Sequence, residues 1–269
     1  SGVLNGIDMK LYDPAADGRI TANYTAEDLS GKAADKTALQ NLMGLNEEPN
    51  TPIIAMVSRL VSHKGLDLLR EVMGDIMELP AQFVVLGSGD AGYEEFFRRT
   101  AERYPGRMAV RLGYNEALSM AIYAGADLFL MPSRSEPCGL SQMISMRYGT
   151  VPIVRETGGL KDTVQPYEAW RDAGTGFTFF CTAAGAAKAA RIIADDQLLL
   201  RFLSVHRHAG IYGKQILDPA HNGIQQGQRH IRIGWIAEDI TVRYRRAPLR
   251  IVPLLVCPGG KIPIRVAFR

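Results

Sequence analysis

From Pro52 to Thr178 the chain alternates between short continuous apolar runs and stretches whose apolar positions recur every three or four residues. The runs predict strands buried on both faces, and the spaced stretches predict amphipathic helices. Strands are expected at Pro52–Ser58, Gln82–Leu86, Met108–Leu112, Asp127–Met131 and Val151–Val154. Helices are expected at Gly65–Met77, Tyr93–Tyr104, Asn115–Ala124 with Asn115 as its cap, Gln142–Tyr148, and from Gly159 to Val164. This order predicts an α/β fold, a Rossmann-like doubly wound parallel sheet with helices on both faces. Ahead of it, Gly31–Leu45 reads as a surface helix and residues 1–13 as a strand running into a turn.

After Phe180 the pattern is lost. Ala183–Ala194 keeps helical spacing, but Gly210–Ile240 is rich in His, Gln, Gly and Arg, and prolines interrupt the last apolar runs. The charge changes at the same place. Residues 181–269 carry 14 Lys and Arg against 5 Asp and Glu, and residues 1–180 carry 17 against 23, so the net +3 divides into +9 and −6. We therefore expect a folded domain at 1–180, including an N-terminal segment at 1–50, and an atypical basic tail at 181–269. The tail reads either as an out-of-frame translation or as an extension unrelated to the domain. An authentic tail of that charge would suit polyanions.

Composition excludes several function classes. The 46% hydrophobic content is that of a globular protein. No apolar run approaches the roughly 18–20 residues that span a membrane, and no signal peptide is recognisable. The three cysteines, Cys138, Cys181 and Cys257, are too far apart for a zinc motif or a disulfide framework. Of the five histidines only His206 and His208 are close in sequence, and no metal site is expected from them.

The candidate chemistry lies in loops that follow the predicted strands. Ser133 to Met143, SRSEPCGLSQM, reads as strand, loop and helix N-terminus. A helix start presents unpaired N–H groups and a partial positive charge that suit a phosphate, and Glu136 would stand beside the bound anion. The alternative is an ordinary capping loop, with Glu136 solvated and Ser141 as the cap. Arg59 and Lys64 flank the turn after the first strand. They either neutralise a diphosphate or are two solvated cations. Gly87 to Gly92, GSGDAG, matches the dinucleotide fingerprint, but the acid expected about 20 residues later is missing at Arg111–Gly113. It is read as a nucleotide-facing turn. Tyr114 after the third strand either stacks on a base or packs half-buried. Thr157-Gly158-Gly159 after the fifth strand offers N–H groups to an anion or sugar, or is a tight turn.

Together these segments resemble bacterial glycogen synthases and plant starch synthases. The resemblance rests on VLNGID at 3–8, SRLVSHKGLDLL at 58–69, GYNEA at 113–117, YAGADLFLMPSRSEPCGLSQ at 123–142, YGTVPIVRETGGLKDTV at 148–164 and GTGF at 174–177. It implies the second, donor-binding half of a GT-B glycosyltransferase. Such enzymes transfer glucose from a nucleotide sugar, usually ADP-glucose in bacteria and plants, to the non-reducing end of an α-1,4-glucan with retention, without metal or cofactor; the alternatives are a GT-B transferase using another nucleotide sugar, or a non-catalytic nucleotide- or glucan-binding fragment. Arg59 and Lys64 would hold the donor diphosphate, Tyr114 the base, and Glu136 the glucose near its reacting carbon. The backbone of Cys138, Gly139 and Leu140 with the Ser141 hydroxyl would cradle sugar and phosphate, and Asn5 would lie near the sugar. The implied partners are donor and glucan, with no membrane and no nucleic acid, in the cytoplasm, or a plastid for a plant protein. Three features depart from the family: Ile144 stands where many retaining relatives carry a second Glu, the first domain is not among these residues, and the tail does not match the family's ending. The resemblance therefore implies that this chain is inactive by itself.

Overall fold

The computed structural model describes residues 5–168, 170–171 and 173–180. The expectations for residues 181–269 fall outside that set. Among the described residues six strands form one sheet: β1 (Ile53–Val57), β2 (Gln82–Gly87), β3 (Met108–Leu112), β4 (Leu128–Met131), β5 (Val151–Arg155) and β6 (Phe177–Phe179). The helices are α1 (Ser30–Met43), α2 (Leu66–Glu78), α3 (Ala91–Arg103), α4 (Glu116–Gly125), α5 (Ser141–Arg147) and α6 (Gly158–Thr163), and a 3-10 turn at Ser62–Lys64 precedes α2. Every strand pair is parallel and the spatial order is β3-β2-β1-β4-β5-β6. The Rossmann-like doubly wound expectation therefore holds. The chain winds outward from β1 to β3, then returns to the other side of β1, so β1 and β4 flank the reversal.

The period-2 side-chain alternation of a strand accounts for the two apolar layers. Ile54, Met56, Phe83, Val85, Leu128 and Leu130 point to one face, where α2 covers them with Leu69, Val72, Met73 and Ile76 and α3 adds Phe97. Their neighbours Ile53, Ala55, Val84, Leu86, Phe129 and Met131 point to the other face, against Leu39 and Met43 of α1, Met120 and Tyr123 of α4, and Met143 and Met146 of α5. The sheet is apolar on both sides because crossover helices cover both.

Of the strand running into a turn expected at residues 1–13, the turn is present: Asp8 Oδ1 accepts from the N–H groups of Lys10 (2.8 Å) and Leu11 (3.1 Å) and closes the chain on itself, while residues 1–4 lie outside the described set. The strand β6 was not anticipated, since three residues give too short a run for periodicity to register. Asn115 caps α4 as expected, its Oδ1 accepting from Leu118 N–H at 2.9 Å.

The N-terminal segment is fixed to the α4–α5 side through polar anchors. Arg19 forks onto Asp17 (2.7 and 2.9 Å) and reaches Glu116 in the first turn of α4 at 3.0 Å. The Tyr148 hydroxyl donates to Asp17, and the Tyr24 hydroxyl donates to the Tyr148 carbonyl at 2.9 Å. Burial pushes the Asp17 carboxyl upward, but the bonds from Arg19 and Tyr148 outweigh it and hold the group below the usual carboxylate range. At the opposite, amino-terminal edge of the sheet, buried Asp127 pairs with Lys36 (2.8 Å) and accepts from Ile53 N–H (2.8 Å).

Candidate functional site

In open parallel sheets, ligands bind beyond the strands' carboxyl ends where the winding reverses. Here that point lies between the loops following β1 and β4. The loop after β1 makes a 3-10 turn at Ser62–Lys64 and passes through Gly65, which has φ +73°. A side chain is excluded there twice, because a Cβ would stand 2.0 Å from the Pro132 carbonyl oxygen of the β4 loop. The two loops are also joined by Arg134 N–H donating to the His63 carbonyl at 2.9 Å, and by an ion pair from Arg134 to Asp67 in α2.

This close approach brings Lys64 onto Glu136, 72 residues later in sequence. Lys64 Nζ lies 2.6 Å from Glu136 Oε2, with the side chains 16% and 11% exposed. The same Oε2 accepts from the Ser133 hydroxyl at 3.1 Å. Ser133, 2% exposed, was not singled out in the sequence. The available signal was its position three residues ahead of the acid on the same loop.

The loop after β5 closes the other side. Gly159 N–H donates to the Glu136 carbonyl at 2.9 Å, and Thr157 Oγ1 to the Arg134 carbonyl at 3.3 Å. Gly158 (φ +44°) and Gly159 permit the approach, since Cβ atoms would stand 2.2 Å from the Glu136 oxygen and 2.0 Å from the Cys138 oxygen. Gln142, fully buried at the start of α5, donates to the Cys138 (3.1 Å) and Gly139 (2.8 Å) carbonyls and to Thr163 Oγ1 (3.0 Å), fixing the turn from behind. Among the described residues no group accepts from the N–H of Cys138, Gly139, Leu140 or Ser141. Those donors remain for a ligand. Burial pushes the Tyr123 phenol up to about 12, against an opposing pull from the Ser141 hydroxyl.

The remaining predicted residues are placed less closely. Arg59, on the β1 loop, is exposed, and its guanidinium has no partner among the described residues. Tyr114, following Gly113 after β3, is 81% exposed, which removes the half-buried packing alternative. Asn5 is exposed, and no hydrogen bond among the described residues ties it to Lys64 or Glu136. The GSGDAG turn has a different basis from the one anticipated. A Cβ on Gly87 or Gly89 would collide with the Ser58 or Leu60 carbonyl (1.9 and 2.3 Å), and Gly89 N–H already donates to Glu94 at 2.8 Å. Those glycines serve loop packing, and the Gly89 amide is not free for a phosphate.

Apart from the carboxyl edge, a groove of about 510 Å³ runs between α2 and α3, lined by Arg70, Phe96, Arg99, Arg103 and Tyr104. Of the sequence candidates it includes only Gly92. No cluster of three or more His, Cys, Asp or Glu that could hold a metal occurs among the described residues, and no described helix is long and apolar enough to cross a membrane.

Comparisons with known proteins agree with this architecture. The family model described as glycosyl transferases group 1 matches residues 41–207, continuing past Phe180. Glycogen synthase of Bacillus cereus (strain ATCC 10987 / NRS 248) is 54% identical over 179 residues, covering 66% of this chain and 38% of that protein. Glycogen synthase of Anaeromyxobacter sp. (strain Fw109-5) is 54% identical over 178 residues, covering 66% and 37%. The chain thus spans less than two fifths of the length of these curated relatives. Among solved structures, the catalytic domain of starch synthase IV from Arabidopsis thaliana, bound to ADP and acarbose, superposes with a TM-score of 0.68 at 38% identity, covering 77% of this chain and 45% of that one. That coverage fits one half of a GT-B transferase. The C-terminal domain of LpcC, a group 1 glycosyl transferase of Francisella tularensis, shares the fold alone, with a TM-score of 0.55 at 14% identity over 79% of this chain and 100% of that one. With more than half of its length matched by the family model, this chain belongs to the glycosyl transferases group 1 family.

Proposed function

We propose that this chain is the donor-binding part of a retaining glucosyltransferase that moves glucose from ADP-glucose to the non-reducing end of an α-1,4-glucan. The observation that carries the reading is the Lys64–Glu136 pair at the reversal point of the sheet, with a 2.6 Å contact between loops from different strands. The relatives at 54% identity are glycogen synthases, and the starch synthase IV structure holds ADP. Departure of a nucleoside diphosphate builds negative charge on its oxygens and positive charge at the sugar's anomeric carbon. Lys64 and Arg59 are the cations available for the first, and the free N–H groups of Cys138 to Ser141 add oriented dipoles. Glu136 is the carboxylate available for the second. Tyr114 offers an open ring face to the base, and Thr157 and Gly158 form the floor beneath the β4 loop. Asn5 we assign to the sugar side of the site, on the strength of the family motif at 3–8.

In this reading residues 1–180 carry the donor-binding residues named above, and the acceptor groove and the rest of the cleft come from a preceding domain. We place the enzyme in the cytoplasm. The test is thermal protection of the chain by ADP, UDP and GDP. Ligand at about 100 times its Kd stabilises by about 2.7 kcal/mol, which at about 2–4 °C per kcal/mol raises Tm by about 5–10 °C. ADP is expected to protect most. No shift with any of the three nucleotides would refute the reading, and a larger shift with UDP or GDP would refute the choice of donor.

A further inference from the structure

Lys64 is neutralised within the chain itself. Its ammonium sits on Glu136 Oε2 at 2.6 Å, while the neighbouring cation Arg59 is exposed and has no partner among the described residues. A diphosphate that draws this ammonium toward itself draws it away from Glu136. The carboxylate that loses it is 11% exposed and would be left nearly buried, but for one group: the Ser133 hydroxyl, 3.1 Å from the same Oε2 and 2% exposed. Nothing else among the described residues donates a hydrogen bond to the Glu136 carboxylate.

Resting on the donor reading above, we propose that Glu136 is the resident counter-ion of Lys64, that the donor's diphosphate displaces it, and that Ser133 is the positioning residue that holds the carboxylate once Lys64 has left. The exchange has two consequences. Lys64 is kept in place before the donor arrives, so little side-chain freedom is lost on binding. Glu136 becomes an unneutralised carboxylate only when a donor is present, facing the carbon where positive charge develops. Ser133 prevents the freed carboxylate from becoming a buried acceptor without a donor, which would otherwise oppose the exchange.

The geometry yields a test in which removing a site residue improves binding. ADP affinity is measured by calorimetry on the full chain and on Glu136→Gln, Ser133→Ala, Lys64→Ala, and the two double variants Glu136→Gln/Lys64→Ala and Glu136→Gln/Ser133→Ala. Glu136→Gln frees Lys64 from its competitor and is expected to bind ADP about tenfold more tightly. In the Lys64→Ala background the same substitution is expected to leave affinity unchanged within about twofold. Ser133→Ala is expected to weaken ADP about five- to tenfold in the parent, and to have no effect in the Glu136→Gln background. A merely structural Ser133 would weaken both backgrounds equally. Equal ADP affinity in the parent and Glu136→Gln, with binding intact, overturns the exchange while leaving the donor reading standing. Absence of ADP binding in all variants overturns both.

Discussion

Gly159→Ala probes the contact on which the site depends. A Cβ at this position would stand 2.0 Å from the Cys138 carbonyl oxygen and 2.4 Å from its Cα. These are backbone atoms, so no side chain can swing aside. A carbon normally stays about 3.3 Å or more from such an oxygen, and the β4 and β5 loops must therefore part by more than about 1 Å. That separation breaks the 2.9 Å bond from Gly159 N–H to the Glu136 carbonyl. Loss of the bond costs about 1 kcal/mol, and overpacking adds about 1–3 kcal/mol. At about 2–4 °C per kcal/mol, Tm should fall by about 5–15 °C. Because the displaced loop carries the Cys138 to Ser141 N–H groups offered to the diphosphate, ADP affinity should fall as well. Gly74→Ala is the matched control: it lies in α2, and its Cβ would meet nothing within 4 Å. There the same change should stabilise by about 0.5–1 kcal/mol through helix propensity. Thermal unfolding followed by circular dichroism, with ADP calorimetry on each variant, reads both. A Gly159→Ala chain that melts with the parent and binds ADP normally would refute the argument.

Three further outcomes are expected. Asp127→Ala strands the buried Lys36 ammonium and leaves Ile53 N–H without its acceptor, and should cost about 3–5 kcal/mol in urea unfolding; a loss below 1 kcal/mol would contradict this. Burial holds the Asp35 carboxyl above its ordinary range, against the pull of the Ala22 and Thr21 N–H groups, so its charged form opposes folding. Its contribution is most favourable at low pH and declines as pH rises through the raised value. Asp35→Asn should therefore be at least as stable as the parent at pH 7.5 and lose that advantage near pH 3, and a variant weaker at pH 7.5 would contradict the sign. The chain alone should show no useful glucose transfer from ADP-glucose to glycogen, since half a cleft neither excludes water nor places an acceptor; robust transfer in a radiolabel assay would refute this.

Much of the sheet was legible because its signal is local. Continuous runs such as Pro52–Ser58 and Gln82–Leu86 are too short for helices and read as strands buried on both faces, and β1 and β2 fall within a residue of the expected bounds. β6 escaped because Phe177–Phe179 is too short to show a period. The site was legible as a set of loops and not as contacts. That Lys64 touches Glu136 depends on β1 and β4 being neighbours, a property of the winding order that no local pattern encodes. Ser133 was missed for the same reason, since a serine beside a proline looks like any turn residue until its hydroxyl is seen on Oε2. The close packing at Gly87 and Gly89 was not legible because a glycine needed for a close backbone neighbour and one needed for a phosphate look alike in sequence.

The most direct test of the central claim is a crystal structure of the chain with ADP. The account predicts diphosphate oxygens within about 3 Å of Lys64 Nζ and the Arg59 guanidinium, with the adenine on the Tyr114 ring. The Lys64–Glu136 contact should be lengthened from its 2.6 Å, and Glu136 should still be held by Ser133. ADP bound elsewhere, as in the groove between α2 and α3, with the Lys64–Glu136 pair undisturbed, would contradict it.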